Sequence, residues 1–227
     1  MSKTVIKRQD VAAARALLEE YRAAKASLDR RITENEKIFR MRRGEDGNTS
    51  RSAWLFNSII NKHADFMDAI PECTVLPRER NDEKTAAALT KILPAVLERV
   101  NWEGAYSDGS MYKLKAGTAV YSVLWNSEAL SGRGDIDIKH VDLLNLFWEP
   151  GVRDIQKSRS VFCTELVDNG VLLERFPFLE GKLAPVSHKT GYGACDTRNK
   201  SEVVDMYYKK GPRVQPCCIT LNSRGTS

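Results

Sequence analysis

Residues 117–150 read GTAVYSVLWNSEALSGRGDIDIKHVDLLNLFWEP. Ala119 to Trp125 is rich in Val and Tyr and alternates as a strand does, with successive side chains on opposite faces. Ser131-Gly132-Arg133-Gly134 supplies a turn, and Ile136 to Val141 returns. The connection is longer than two residues, so a hairpin is predicted without a tight primed turn. An acidic-led loop from Asp142 then closes on Phe147-Trp148-Glu149-Pro150. No nucleophile stands beside a base here, and Ser-Gly-Arg-Gly lacks the spacing of a phosphate-binding loop. The stretch reads as scaffold.

The flanking sequence predicts helices on one side and further strands on the other. From Asp10 to about Arg43, Val11, Ala14, Leu18, Tyr21, Leu28, Ile32 and Phe39 follow three/four spacing and fall on one stripe, interrupted by Lys25 and Asn35. Asp10 is the expected N-cap and Gly44 the expected end. A second helix is expected from Ser52 to Ala69, a short strand over Cys73 to Leu76, and a third helix from Asp82 to Val100. Pro94 is expected to kink or break that third helix. A fourth helical stretch runs from Trp102 to Lys115. Strands are expected at Ser160 to Val167 and Glu202 to Lys209, with a short Asp-capped helix between Asp168 and Phe176 and a polar loop over Lys182 to Lys200. Pro212 and Pro216 argue against a strand in the tail from residue 211. The fold class is α+β: long N-terminal helices followed by a small, mostly antiparallel sheet with short helices.

Composition excludes several classes. Hydrophobic residues make up 42% and charged residues 29%, the range of ordinary globular chains rather than disordered ones. No apolar run reaches the roughly 18 residues of a membrane span. MSKTVIKRQD lacks the apolar centre of a secretory signal. The five cysteines, Cys73, Cys163, Cys195, Cys217 and Cys218, are odd in number and not spaced as zinc ligands, which points to reduced thiols in a cytosolic setting. No metal, cofactor or catalytic residue is expected. The net charge of +5 sits entirely in residues 1–45, which hold 12 Lys/Arg against 7 Asp/Glu, while the remainder balances at 23 against 23. Such a helix could attract phosphate, though a solvated face of mixed charge is the simpler reading. Two rival functions follow: a nucleic-acid-binding adaptor using this helix, and a metal-dependent nuclease using Asp135, Asp137 and Asp142.

The order of elements from Trp54 to Lys210 resembles the N-terminal part of the portal proteins of tailed bacteriophages, the head-to-tail connectors. The pieces are the helix Trp-Leu-Phe-Asn-Ser-Ile-Ile-Asn-Lys-His-Ala-Asp from Trp54, then Pro77-Arg78-Glu79 leading through Asp82 into an Ala-rich helix. A glycine-led strand ending in Trp (Gly117 to Trp125) and a Val-Asp-x4-Phe-Trp-x-Pro turn (Val141 to Pro150) follow, with Arg153-Asp154-Ile155 and Arg159-Ser160-Val161 behind them. The resemblance implies a structural virion protein, one subunit of a homo-oligomeric ring through which DNA is packaged and ejected. It implies contacts with the capsid and the terminase large subunit, no enzymatic chemistry of its own, no membrane, and a place in the virion and in host cytoplasm during assembly. It divides the chain into a basic arm (1–50), a wing-like domain (51–210) and an irregular tail (211–227). Family members run on into stem, clip and crown, so a truncated or frameshifted form, a decayed prophage gene, or an isolated domain is the expectation. Trp54, Phe56, Ile60 and Trp148 are the candidate subunit or capsid contacts; the competing reading buries Trp54, Phe56 and Ile60 in the protomer's own core and uses Trp148 and Pro150 to fix a loop.

Overall fold

The structure, a computed structural model, describes residues 8–40, 53–181, 183, 199–210 and 213–220. Its α+β class agrees with the sequence. The chain divides into two compact units, one of residues 1–34 with 143–227 and the other of residues 35–142. This division passes through the first helix and through the span 51–210, and so does not coincide with an arm followed by a single domain.

The first unit sets α1 (Arg8–Phe39, up to Glu34) against a four-stranded antiparallel sheet. The strands are β3 (Leu146–Trp148), β4 (Ser160–Asp168), β5 (Lys200–Lys210) and β6 (Arg213–Thr220), in spatial order β3-β4-β5-β6. Asp10 lies inside the first turn of α1 rather than at its cap. The expected end of that helix at Gly44 and most of the expected 182–200 loop lie outside the described residues. The helix stripe is the core: Ala14, Leu18 and Tyr21 pack with Phe147, Phe162 and Val204, and Tyr21 meets Phe162 edge-on at 5.6 Å. Phe162 is wholly buried, which stabilises by about 2–3 kcal/mol. The Tyr21 hydroxyl reaches Ser160 Oγ at 3.1 Å, so its polar end is not stranded in the core.

Lys25, which breaks the apolar stripe in sequence, is 7% exposed. Its ammonium donates to the carbonyls of Leu143 and Leu144 and, at 2.9 Å, Leu146; it pairs with Asp29 at 3.1 Å and sits 4.1 Å from the centroid of the Phe147 ring. The carbonyls of Leu143, Leu144 and Leu146 thus converge on one buried cation, while that of Asn145 faces Thr164 Oγ1 at 3.5 Å. After β4, Asp168 caps the short helix α5 (Asn169–Arg175) by accepting from Gly170 N–H at 2.7 Å, as its position in the sequence predicts.

Two strands were not foreseen. β3 is three residues long, too short for periodicity to register. β6 falls in the tail expected to be irregular, and it pairs with β5 from Val203↔Thr220 to Lys210↔Arg213 with Pro216 opposite Tyr207. An edge strand needs donors on one side only, so a proline does not forbid it.

The second unit holds α2 (Trp54–Asp68), α3 (Glu83–Arg99), α4 (Trp102–Ala116) and a hairpin of β1 (Val120–Asn126) and β2 (Asp135–Val141). Asn35, the other break in the α1 stripe, donates to Lys115 O at 2.9 Å, and Lys115 pairs with Glu36 at 2.7 Å. Both polar interruptions of α1 are therefore ties rather than faults. α3 runs as one helix through Pro94, which corrects the expected break. Cys73 to Leu76 is not a strand. Its Val75 N–H bonds to Thr90 Oγ1 at 3.0 Å instead of to a strand partner.

Candidate interaction surfaces

The second unit carries little core of its own. Among the described residues its buried apolar side chains are Ile59, Ala86 and Tyr112, whereas Trp54, Leu76, Ile92, Val123 and Trp125 all stand more than half exposed. Trp54, Leu76 and Ile92 lie on separate segments and imply no common partner, whereas Val123 and Trp125 share one strand.

Helical periodicity decides which of the candidates face out. On α2, Ile59 is buried and Phe56, His63, Phe66 and Met67 are half-buried, one inward face; Trp54 falls opposite it, and Ile60, 38% exposed, lies at its margin. Trp54 is 81% exposed, at the first turn of α2. The core-filling reading is thus corrected for Trp54; Phe56 is half-buried, its ring 5.2 Å from that of Phe39, and Ile60 stands between the two. His63 ties α2 to α4, its Nε2 lying 3.1 Å from Ser107 O and 3.2 Å from Ser107 Oγ. Trp148 belongs to the first unit, where it and Pro150 line a groove with Tyr21, Lys25 and Leu28. The loop behind them is clasped by Glu149, which takes the Arg159 guanidinium at 2.7 Å and the Arg159 N–H at 3.1 Å. Those bonds hold the Glu149 carboxyl below its ordinary pKa.

The hairpin presents a surface that sequence reading did not single out. Val120↔Val141 through Asn126↔Asp135 pair in register, so Tyr121, Val123 and Trp125 share a face with His140, Ile138 and Ile136. At the base this face packs on α4: Trp102 lies 5.5 Å from Tyr121, and Tyr112 lies 4.8 Å from His140. A Cβ on Gly109 would stand 2.1 Å from the Tyr121 hydroxyl, so that approach requires glycine. Towards the tip the face is open. The Trp125 ring lies over Gly134, where a Cβ would come within 2.4 Å of it, and Gly134 has φ +82°. Trp125 is therefore fixed in place and still 65% exposed. The sequence signal was the run Val123-Leu124-Trp125, apolar at three consecutive positions where a half-buried strand would alternate.

The residues of the rival readings are otherwise occupied. Asp135 pairs with Arg99 at 2.7 Å and accepts from Ile136 N–H, which together hold its carboxyl below the usual range. Asp137 pairs with Lys139 at 2.8 Å, and Asp142 accepts from the Tyr112 hydroxyl at 2.8 Å. No group of three or more His, Cys, Asp or Glu among the described residues is placed to hold a metal ion. On α1, Arg22 pairs with Glu19 and Glu202 and Lys25 is buried, and just past its end Arg40 pairs with Glu36, so part of the positive charge is compensated within the chain. Cys163 is pushed up to about 11, chiefly by burial and then by Asp205 and Glu165, which keeps its thiol unreactive at neutral pH. No described helix is long and apolar enough to cross a membrane.

Comparison with known proteins gives one finding. The family model for the phage P22-like portal protein matches residues 65–222, well over half of the chain and spanning parts of both units. No curated protein sequence matches it.

Proposed function

This chain belongs to the phage P22-like portal proteins, and on that premise we propose that it is a structural subunit of the ring through which phage DNA enters and leaves the capsid. Its partners are further copies of itself, the capsid shell and the terminase large subunit, and its place is the virion, with host cytoplasm during assembly. DNA passes through without being gripped, and the energy of packaging comes from the motor.

The family match carries this reading; the open apolar surface of the second unit supports it. A ring needs heterologous contacts that close, so each subunit must offer two unlike surfaces. Trp54, turned outward on α2, and Ile60, at the margin of that helix's inward face, are proposed contacts, and Trp148 a lesser one. The compensated charge of α1 favours this over a DNA-binding adaptor. Light scattering and negative-stain electron microscopy on the full chain test it. Association into ring-like oligomers, with weak DNA binding, is expected. A chain that bound DNA tightly and salt-dependently through residues 1–45, or one that turned over a phosphodiester and lost that turnover on Asp135→Asn, would overturn it.

A further inference from the structure

Tyr106, Ser110 and Lys113 follow one another at four- and three-residue steps on α4, which sets them on one face of that helix. With Phe66 of α2, Thr118 and Tyr121 of β1 they line an open cavity of about 360 Å³, within the size range of small-molecule sites. All six belong to the second unit. The hydroxyls of Tyr106, Ser110, Thr118 and Tyr121 make no hydrogen bond to the described residues, and the Lys113 ammonium has no ion pair among them. Instead Lys113 Nζ lies 5.7 Å from the centroid of the Phe66 ring, a cation held over an aromatic wall. Ser110 is the telling group. It is 5% exposed, and buried hydroxyls are ordinarily satisfied. On α3, Thr90 meets that need by donating to the Ala86 carbonyl four residues earlier at 2.9 Å; Ser110 makes no such bond to Tyr106. Burial, and then Tyr106, push the Tyr121 hydroxyl above its ordinary 10.0, so at neutral pH it keeps a proton to donate.

We infer that this cavity binds a small organic acid, its carboxylate taken by the Lys113 ammonium and the hydroxyls, its apolar body lying on Phe66 and the two tyrosines. The inference goes beyond the ring reading and does not depend on it. Each polar side chain of the lining can donate, one carries a full positive charge, and none carries a negative one, so the complementary group is an anion. One negative charge suits the site better than two. α4 ends at Gly117, which also borders the cavity, and the C-terminal end of a helix disfavours anions. A carboxylate therefore fits better than a phosphate.

Hydrocinnamate is the probe, with hydrocinnamamide as its uncharged counterpart and inorganic phosphate as the competing anion. The full chain is titrated calorimetrically with each at neutral pH, and hydrogen exchange locates the bound acid. One saturable site is expected for the acid, with the amide at least about tenfold weaker, the worth of a hydrogen bond to a charged group. Phosphate should bind more weakly than the acid, and slowed exchange should fall within residues 106–121. Lys113→Met keeps the stem and removes the charge, and should bring the acid down to the affinity of the amide. Ser110→Ala should weaken the acid about three- to tenfold, the worth of a neutral hydrogen bond. Far-UV circular dichroism should show both variants folded, since Lys113 is exposed and alanine suits a helix interior better than serine. Acid and amide bound alike, or an acid indifferent to Lys113→Met, makes the cavity an apolar slot and overturns the anion site. Phosphate bound more tightly than the acid overturns the single-charge assignment. Protection confined to residues outside 106–121, or no saturable binding, overturns the site itself, while light scattering on the same samples reads ring assembly separately.

Discussion

The two units of this chain spend their apolar residues differently. In the first, α1 lays Ala14, Leu18 and Tyr21 on Phe147, Phe162 and Val204, and among the described residues the large side chains left more than half exposed are Val171, Phe178 and Val214. In the second, three helices and a hairpin bury Ile59, Ala86 and Tyr112 while Trp54, Leu76, Ile92, Val123 and Trp125 remain outside. The first holds its stability within itself. The second keeps apolar surface in reserve, which suits a subunit that is complete only in an assembly.

The sharpest way to break this contrast is Phe162→Ala. Emptying the only fully buried aromatic position among the described core residues should cost about 3–5 kcal/mol, and urea unfolding with region-resolved exchange should place the loss in the first unit. If the second unit loosened equally, the two would not be separate reservoirs of stability. Lys25→Met keeps the volume but leaves the carbonyls of Leu143, Leu144 and Leu146 without their donor, at an expected cost of about 3 kcal/mol in the same unit. Gly109→Ala forces a methyl against the Tyr121 hydroxyl and should cost about 1–3 kcal/mol, confined to α4 and the hairpin.

The smallest effect expected is a pH dependence carried by His140. Burial lowers its pKa below the ordinary 6.5, with Lys115 acting in the same direction and the nearby Asp142 and Asp108 opposing. Its Nε2 is buried without a partner among the described residues. The unfolded chain binds the proton more readily than the folded one, so the stability contributed by neutral His140 is full above 6.5 and lost as pH falls through the lower folded value. Exchange of the hairpin amides should quicken on acidification through that window, and His140→Phe should flatten the response.

What could be read in the sequence followed local rules. Three/four spacing gave α1, turn chemistry and alternation gave the hairpin, and the Asp168 cap gave α5. β4 and β5 were found to within a residue or two because each is long and rich in β-formers. The errors lay where pairing decides. Cys73 to Leu76 looks like a strand but has no partner, and Arg213 to Thr220 contains a proline but has one in β5. Trp54 looks like core because large apolar side chains usually are, and only the phase of α2 turns it outward.

The sequence by itself determined the α+β class, the helices, the hairpin and the kinship to portal proteins, since these depend on the order and spacing of residues near one another. Tertiary structure alone decided that Lys25 is a buried tie across 118 residues to Leu143, that β6 completes a sheet, and that Trp125 rests on Gly134 while staying open. Each of those depends on two distant parts of the chain meeting, and a contact between distant residues leaves no period in the sequence of either.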